Sequence, residues 1–170
     1  MSSTTDRMTS WAGPVAGVLR ILIGIYFFWA FLDKTFGLGF ATPSERAWLN
    51  GGSPTSGFLG GSIEGGNPFA GVWQFFININ PVTDILFMAG LFGIGLALIL
   101  GIGHKIATIS GVAMYLFMYL AAFPIATNPL FDDHLLMALV LVLLLGVRAA
   151  DYVGLGKQWT TLVGEKSILR

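Results

Sequence analysis

Asp132, Asp133 and His134 stand consecutively near the start of an apolar run. Histidine is the one side chain whose unperturbed pKa lies near neutrality, so a histidine beside carboxylates is the natural set for moving a proton at physiological pH. Asp33 and Lys34 close another apolar run, Asp84 opens a third, and Arg20 is set inside the first. Arg46 lies beyond Lys34 in a glycine-rich stretch. These residue types offer proton exchange by His134 with Asp132 or Asp133. They also offer attraction of a small anion or a carbonyl-bearing ligand by Arg20, Lys34 and Arg46, with Asp84 beside them.

Other chemistry is closed off. The chain has no cysteine, which removes disulfides, thiolate nucleophiles, persulfide intermediates, iron–sulfur clusters and cysteine-based zinc sites. Nine Lys+Arg balance nine Asp+Glu, so no net charge draws the chain toward nucleic acid. Asp84, Asp132, Asp133 and His134 are chemically able to ligate a metal, but their spacing carries no metal-site pattern and none is expected. The sequence holds no phosphate loop, dinucleotide fingerprint or Ser-His-Asp arrangement.

Positioning these groups falls to membrane helices. Of the 170 residues, 55% are hydrophobic and 11% charged, against about a quarter charged in an ordinary soluble domain; the mean hydropathy is +0.77. A hydrocarbon core about 30 Å thick takes roughly 20 helical residues. Four stretches qualify: residues 15–34, 81–101, 105–123 and 129–148. The expected architecture is all-α, a four-transmembrane-helix bundle in a single membrane domain, 1–170. An extracytoplasmic cap of short helices at 35–80 lies between the first and second spans, and a cytoplasmic tail occupies 149–170. The turns at 101–105 and 124–128 are short, so successive helices are antiparallel neighbours.

With the N-terminus inside, Arg7, Lys105, Arg148, Lys157, Lys166 and Arg170 fall on the cytoplasmic side and only Lys34 and Arg46 outside. The positive-inside rule favours that orientation; Asp33, Glu45, Glu64, Asp84, Asp132 and Asp133 all fall outside. Both termini are therefore expected in the cytoplasm and the chain in the inner (plasma) membrane. An alternative reads the first run as a signal peptide cleaved after Gly39-Phe40-Ala41; Asp33 and Lys34 make a poor cleavage region for it. The topology also separates His104 from His134 across the membrane, which excludes a bis-histidine haem.

Asp132, Asp133 and His134 then sit at the outer bilayer edge, level with Asp84 in the first turn of the second span and Asp33-Lys34 at the end of the first. These six groups are expected to converge under the cap. The helix dipole alone would account for Asp84 and Asp132, though less well for Asp133 and His134. In the first span Gly13, Gly17, Arg20, Gly24, Phe27, Phe31 and Lys34 share one face. Arg20 either snorkels to the cytoplasmic headgroups or faces the bundle interior toward a ligand. Thr42-Pro43, Ser53-Pro54, Asn67-Pro68, Asn80-Pro81 and Asn128-Pro129 each read as an N-cap followed by proline at the first helical position. Thr42 to Glu45 completes a capping box. The helix after Asn67 is expected to lie on the membrane surface with Trp73 at headgroup level. Ala89, Gly93, Ala97 and Gly101 form a close-packing stripe, and Met88, Met114, Met118 and Met137 fill the core.

Several segments together resemble a known family: Arg20-x-x-x-Gly24-x-x-x-Phe28-x-Ala30-x-x-Asp33-Lys34, the run Ala47 to Leu59 with its Gly-Gly-Ser-Pro-Thr core, Asn67-Pro68-Phe69-Ala70, and Asn128-Pro129 before Asp132-Asp133-His134. From about Val18 to Gly156 the chain resembles the DoxX/DoxD family of small four-helix membrane proteins. It is most similar to the DoxD branch, small subunits of thiosulfate:quinone oxidoreductases. The resemblance implies a subunit that passes electrons from an oxidised sulfur compound to membrane quinone, its substrate in the lipid bilayer, beside a second protein subunit. Arg20, Lys34, Asp132, Asp133 and His134 are the matching polar positions. The competing expectation is a non-catalytic structural or assembly subunit of a respiratory membrane complex.

Overall fold

Long apolar runs without internal helix breakers set the main elements of the computed structural model, which describes residues 11–126, 128 and 130–170. Arg7 and Pro129, both used above, lie outside the described residues. Helix α1 spans Ala12–Phe36 and stops at Gly37, whose left-handed backbone (φ 64°) returns its N–H to the Asp33 carbonyl. Two short 3-10 turns, Ser44–Arg46 and Trp48–Asn50, lead to α2 (Ser56–Glu64) and α3 (Ala70–Asn78). Then come α4 (Val82–Leu100), α5 (His104–Ala121) and α6 (Asp133–Gly146), a 3-10 turn at Ala149–Asp151, and α7 (Gly156–Val163). No strand occurs among the described residues. The α4–α5 reversal turns on Gly101 and Gly103, both with positive φ (79° and 57°), where a side chain would be strained.

The four long helices share one core. Ile23 and Phe27 of α1, Met88, Leu91, Ile94 and Leu98 of α4, Ala107 and Tyr115 of α5, and Ala138, Leu141 and Leu144 of α6 form a single buried cluster. The inward face of α1 is the glycine-rich one: Gly13, Gly17, Arg20, Gly24 and Phe27 are all buried. The α1–α4 crossing is tightest at Gly24 and Gly95, not along the stripe expected from Ala89 to Gly101. A Cβ at Gly24 would stand 2.8 Å from the Ile99 amide nitrogen, and one at Gly95 2.7 Å from that of Phe28. Gly93, by contrast, faces open space. Gly95→Ala is therefore expected to cost about 1–3 kcal/mol, because rigid backbone must move, while Gly93→Ala stays within roughly 0.5 kcal/mol of the parent. Unfolding both variants in the same detergent checks the contrast.

Two helices, α1 and α4, are long and apolar enough to cross a membrane, and only 28% and 39% of their apolar windows are buried inside the protein. The two later long helices are shorter than the spans expected at 105–123 and 129–148, and neither is long and apolar enough to be counted with α1 and α4. His104 and Lys105 open α5, and α6 has 14 residues.

Several expected boundaries move. The fourth long helix begins at Asp133 rather than 129, so the connection from α5 covers residues 122–132. Asn128 does not cap it: its Oδ1 accepts the Leu130 amide at 2.8 Å in a local turn, and Asp132, in extended backbone, accepts the Leu135 amide instead. No cap bond forms at the Thr42–Glu45 box, which makes only the 3-10 turn. The segment after 148 is folded onto the end of the bundle that carries the α4–α5 turn. Leu155 N–H donates to the Leu100 carbonyl (2.8 Å), and Lys105 donates to the carbonyls of Arg170 through its amide (2.8 Å) and Ser167 through Nζ (2.9 Å).

Candidate functional site

Residues 37–80 cover the opposite end, and three polar clamps hold them there. Asp84 Oδ1, at the start of α4, accepts from Ser53 Oγ (3.0 Å), Thr55 N (3.1 Å) and Thr55 Oγ1 (2.6 Å). Asn67 bridges α3 to the end of α5: its Nδ2 donates to the Leu120 and Ala121 carbonyls (2.8 and 3.2 Å), while its Oδ1 accepts the Phe69 amide (2.7 Å). Thr83 Oγ1 donates to the Phe76 carbonyl at 2.6 Å. The Ser53-Pro54-Thr55 segment and α3 are thus pinned over the gap between α4 and α5. Asp84→Ala removes an acceptor serving three donors, two of them on buried Thr55. It is expected to lower stability by about 3 kcal/mol and to expose residues 53–56 to proteolysis.

Beneath this cover lies a cavity of about 600 Å³. Its floor is α4 and α5, through Phe87, Gly90, Met114 and Phe117; its roof includes Phe58, Trp73 and Phe76. Small residues on the facing helices, Gly90 and Ala113, leave the gap that the larger ones surround. The wall is mostly apolar, and Lys34 is the one charged side chain on it. Thr55 and Thr83 also line the cavity, but their hydroxyl protons are committed to Asp84 and to the Phe76 carbonyl. Trp73 is 2% exposed and its indole Nε1 has no hydrogen-bond partner. A buried N–H without an acceptor is uncommon in folded proteins. Trp73 borders the cavity with its ring, but Nε1 itself is closed off from that space. At the cavity's edge Phe58, Leu86 and Phe117 are 45%, 66% and 50% exposed, an apolar rim facing outward from the helices.

The residues singled out in the sequence go to different places. Lys34 is on the cavity wall, and Asp84 stands directly behind it through Thr55. Asp33 is buried and accepts the amides of Phe40 (3.2 Å) and Ala41 (3.0 Å), closing the loop after α1. Asp132 and His134 pair with each other, Oδ2 to Nδ1 at 2.6 Å. The His134 ring packs near Tyr115, centroids 6.1 Å apart, away from the lining of the cavity. Asp133 and Arg46 are exposed. Arg20 is far from all of these: fully buried, it donates from Nη1 to the Ile99 carbonyl (3.3 Å) and from Nη2 to the Val153 carbonyl, at the α4–α5 turn end. It neither reaches the cavity nor snorkels to solvent. The six ionisable groups expected to converge do not share one site: Asp33, Asp84 and the Asp132–His134 pair are held in separate hydrogen-bonded sets, and no ion pair joins Lys34 to an acid among the described residues.

Trp73 and the methionines Met114 and Met118 carry more of the cavity than the acids do. Trp73 is not on the outward face of α3 but buried, at 2% exposure, in the helix that the Asn67 clamp ties to the end of α5. The sequence does hold one signal, an aromatic cap helix set over Gly90 and Ala113 on two facing helices, but the polar clusters drew attention first. Among the described residues no group of three or more His, Asp or Glu is placed to hold a metal. Comparison with protein-family models, curated proteins and solved structures finds no match to this chain.

Proposed function

We propose that this chain is a four-span membrane protein of the DoxX/DoxD kind that binds a quinone in the cavity between α4 and α5, as the membrane subunit of an oxidoreductase. The observation that carries the reading is the cavity itself: about 600 Å³ of mostly apolar space whose wall includes two residues that can donate a hydrogen bond, Lys34 and Ser110. A quinone ring is flat, apolar on its faces and bears two carbonyl acceptors, which matches such a wall. Its isoprenoid tail would leave past the exposed rim at Leu86 and Phe117 into lipid.

Four spans are supported by what the helices show outward. Ile109 and Phe117 of α5 are 59% and 50% exposed, and Leu139, Val142 and Leu143 of α6 are 60%, 53% and 61% exposed. Contiguous apolar faces of that extent suit hydrocarbon rather than water. At 1.5 Å per residue α5 reaches about 27 Å and α6 about 21 Å, and the connection at 122–132 makes up the shortfall of α6 at the capped end. Lys105, Arg148, Lys157, Lys166 and Arg170 at the turn end make it the cytoplasmic one.

Binding is tested with a short-tailed quinone titrated into the protein in lipid nanodiscs, read by quenching of tryptophan fluorescence. Saturation at one site per chain is the expected result; quenching that rises linearly, as partition into lipid would give, overturns the reading. Electrons come from a partner subunit, and the His134–Asp132 pair, which lies off the cavity lining, serves as a proton relay at the capped end and not by direct contact with the quinone. His134→Ala is accordingly expected to leave quinone affinity unchanged and to lower thiosulfate-dependent turnover about 10²-fold or more. Equal turnover removes His134 from the reaction. The outward-facing small residues Ala89 and Gly93 favour a second reading, a packing surface for a partner helix. Copurification with a larger complex in mild detergent, with no quinone bound, would support that one instead.

A further inference from the structure

The turn end holds a second, smaller cavity of about 140 Å³, walled by residues far apart in sequence: Gly101, His104 and Lys105 between and on α4 and α5, Arg148 and Asp151 after α6, and Gly156, Thr160 and Arg170 from the folded C-terminal segment. We propose that it is a binding site for a phosphate-like anion. The proposal is independent of the quinone reading and shares no residue with it.

Three cations, Lys105, Arg148 and Arg170, face one carboxylate, Asp151, across this space. Asp151 is shared, taking Arg148 Nε at 2.7 Å and Arg170 Nη2 at 3.0 Å. The excess of positive charge is met from outside the lining by Glu165, which accepts the Arg148 Nη2 at 3.1 Å on both oxygens and the Arg170 Nη1 at 2.6 Å. That carboxylate is the chain's own stand-in for an anion, and its side chain is 63% exposed. It can therefore swing out without leaving a buried charge behind. His104 also borders the cavity and is 4% exposed, but its Nε2 is closed off from that space. Arg20 stands just behind the Gly101 wall, adding a further positive charge to the region. Two guanidinium forks and an ammonium around one space, with an exposed carboxylate as their displaceable counter-ion, match a tetrahedral oxyanion with several acceptor oxygens. On the cytoplasmic side of a membrane such an anion has two sources, free phosphate or the headgroup of an acidic phospholipid.

The test turns on Glu165. If its carboxylate competes for the Arg148 and Arg170 guanidiniums that the anion would take, Glu165→Gln removes a competitor and strengthens binding, whereas Lys105→Gln removes a donor and weakens it. The protein in neutral detergent is titrated with inorganic phosphate against chloride at matched ionic strength, following the unfolding temperature, and phosphatidylglycerol retained from mixed nanodiscs is counted by native mass spectrometry. Expected are saturable stabilisation by phosphate, about fivefold tighter in Glu165→Gln and about tenfold weaker in Lys105→Gln. Retention of phosphatidylglycerol with the same two shifts, without a phosphate effect, identifies the lipid headgroup as the source. Equal stabilisation by chloride with no lipid retained, or Glu165→Gln binding no tighter than the parent, overturns the proposal. Glu165 is a solvent-exposed residue, so that arm is free of folding failure.

Discussion

Lys34→Met is expected to weaken quinone binding about tenfold or more, and Trp73→Phe to leave it nearly unchanged, with both variants folded. A hydrogen bond from a charged donor contributes about 1.5–3 kcal/mol, about a factor of 10 to 100 at 1.4 kcal/mol per factor of ten, whereas the Trp73 Nε1 is closed off from the cavity. Both replacements keep an apolar side chain on the wall, so the shape of the cavity is largely retained. Trp73→Phe has a further consequence in the ligand-free protein. The indole Nε1 is buried without an acceptor there, and deleting it relieves a desolvated donor, offsetting the packing lost with the second ring. The variant should therefore unfold close to the parent temperature when empty and gain about as much from added quinone. Calorimetric titration measures both variants on the same footing, since replacing one of the five tryptophans alters the fluorescence signal. Arg46→Gln serves as the control: the residue is exposed and absent from the wall, so affinity should not change. Unaltered affinity in Lys34→Met would show that shape alone holds the ligand and that the ammonium is not used.

The inward face of α1 could be read from the sequence because spacing alone determines it. Gly13, Gly17, Arg20, Gly24 and Phe27 recur at helical period, and all are buried. The start of α6 could not, because two capping residues compete within a few positions. Asn128 satisfies a local turn, which leaves Asp132 to cap the helix. Trp73 illustrates a different limit. Its aromatic character and period fit a surface helix equally well, and what turns it inward is a tertiary bond from Asn67 to carbonyls of α5 more than fifty residues away. The expected meeting of acids failed for a related reason. Buried backbone amides need acceptors, and Asp33 and Asp84 are consumed by the amides of Phe40, Ala41 and Thr55 before they can share a site. The cavity was out of reach because it arises from volumes set opposite each other across two helices, with Gly90 facing Met114.

Arg20→Met is expected to destabilise the protein by about 4 kcal/mol, the largest effect of any single replacement considered. A charge in the middle of an apolar helix costs about 2.5–3.5 kcal/mol on insertion scales, so its presence calls for compensating contacts, and the structure supplies them. The guanidinium is fully buried and donates to the carbonyls of Ile99 and Val153. The first belongs to the last turn of α4, where carbonyls lack intrahelical partners and the helix dipole favours a cation. The second belongs to the segment after α6, whose Gly154 lies against the same side chain. Arg20 therefore joins three parts of the chain that the backbone does not hold together: the middle of α1, the end of α4 and the approach to α7. Methionine keeps the stem but leaves both carbonyls unpaired, at about 1–3 kcal/mol each. Lysine is the decisive comparison. A snorkelling residue would tolerate Arg20→Lys with almost no change, whereas a two-carbonyl fork satisfied by a planar group would not, so a loss of about 2 kcal/mol is expected on denaturant unfolding. Gly156, Thr160 and Arg170 of the anion cavity ride on the segment that Arg20 anchors. Arg20→Met should therefore also blunt the stabilisation by phosphate, with every residue lining that cavity left intact.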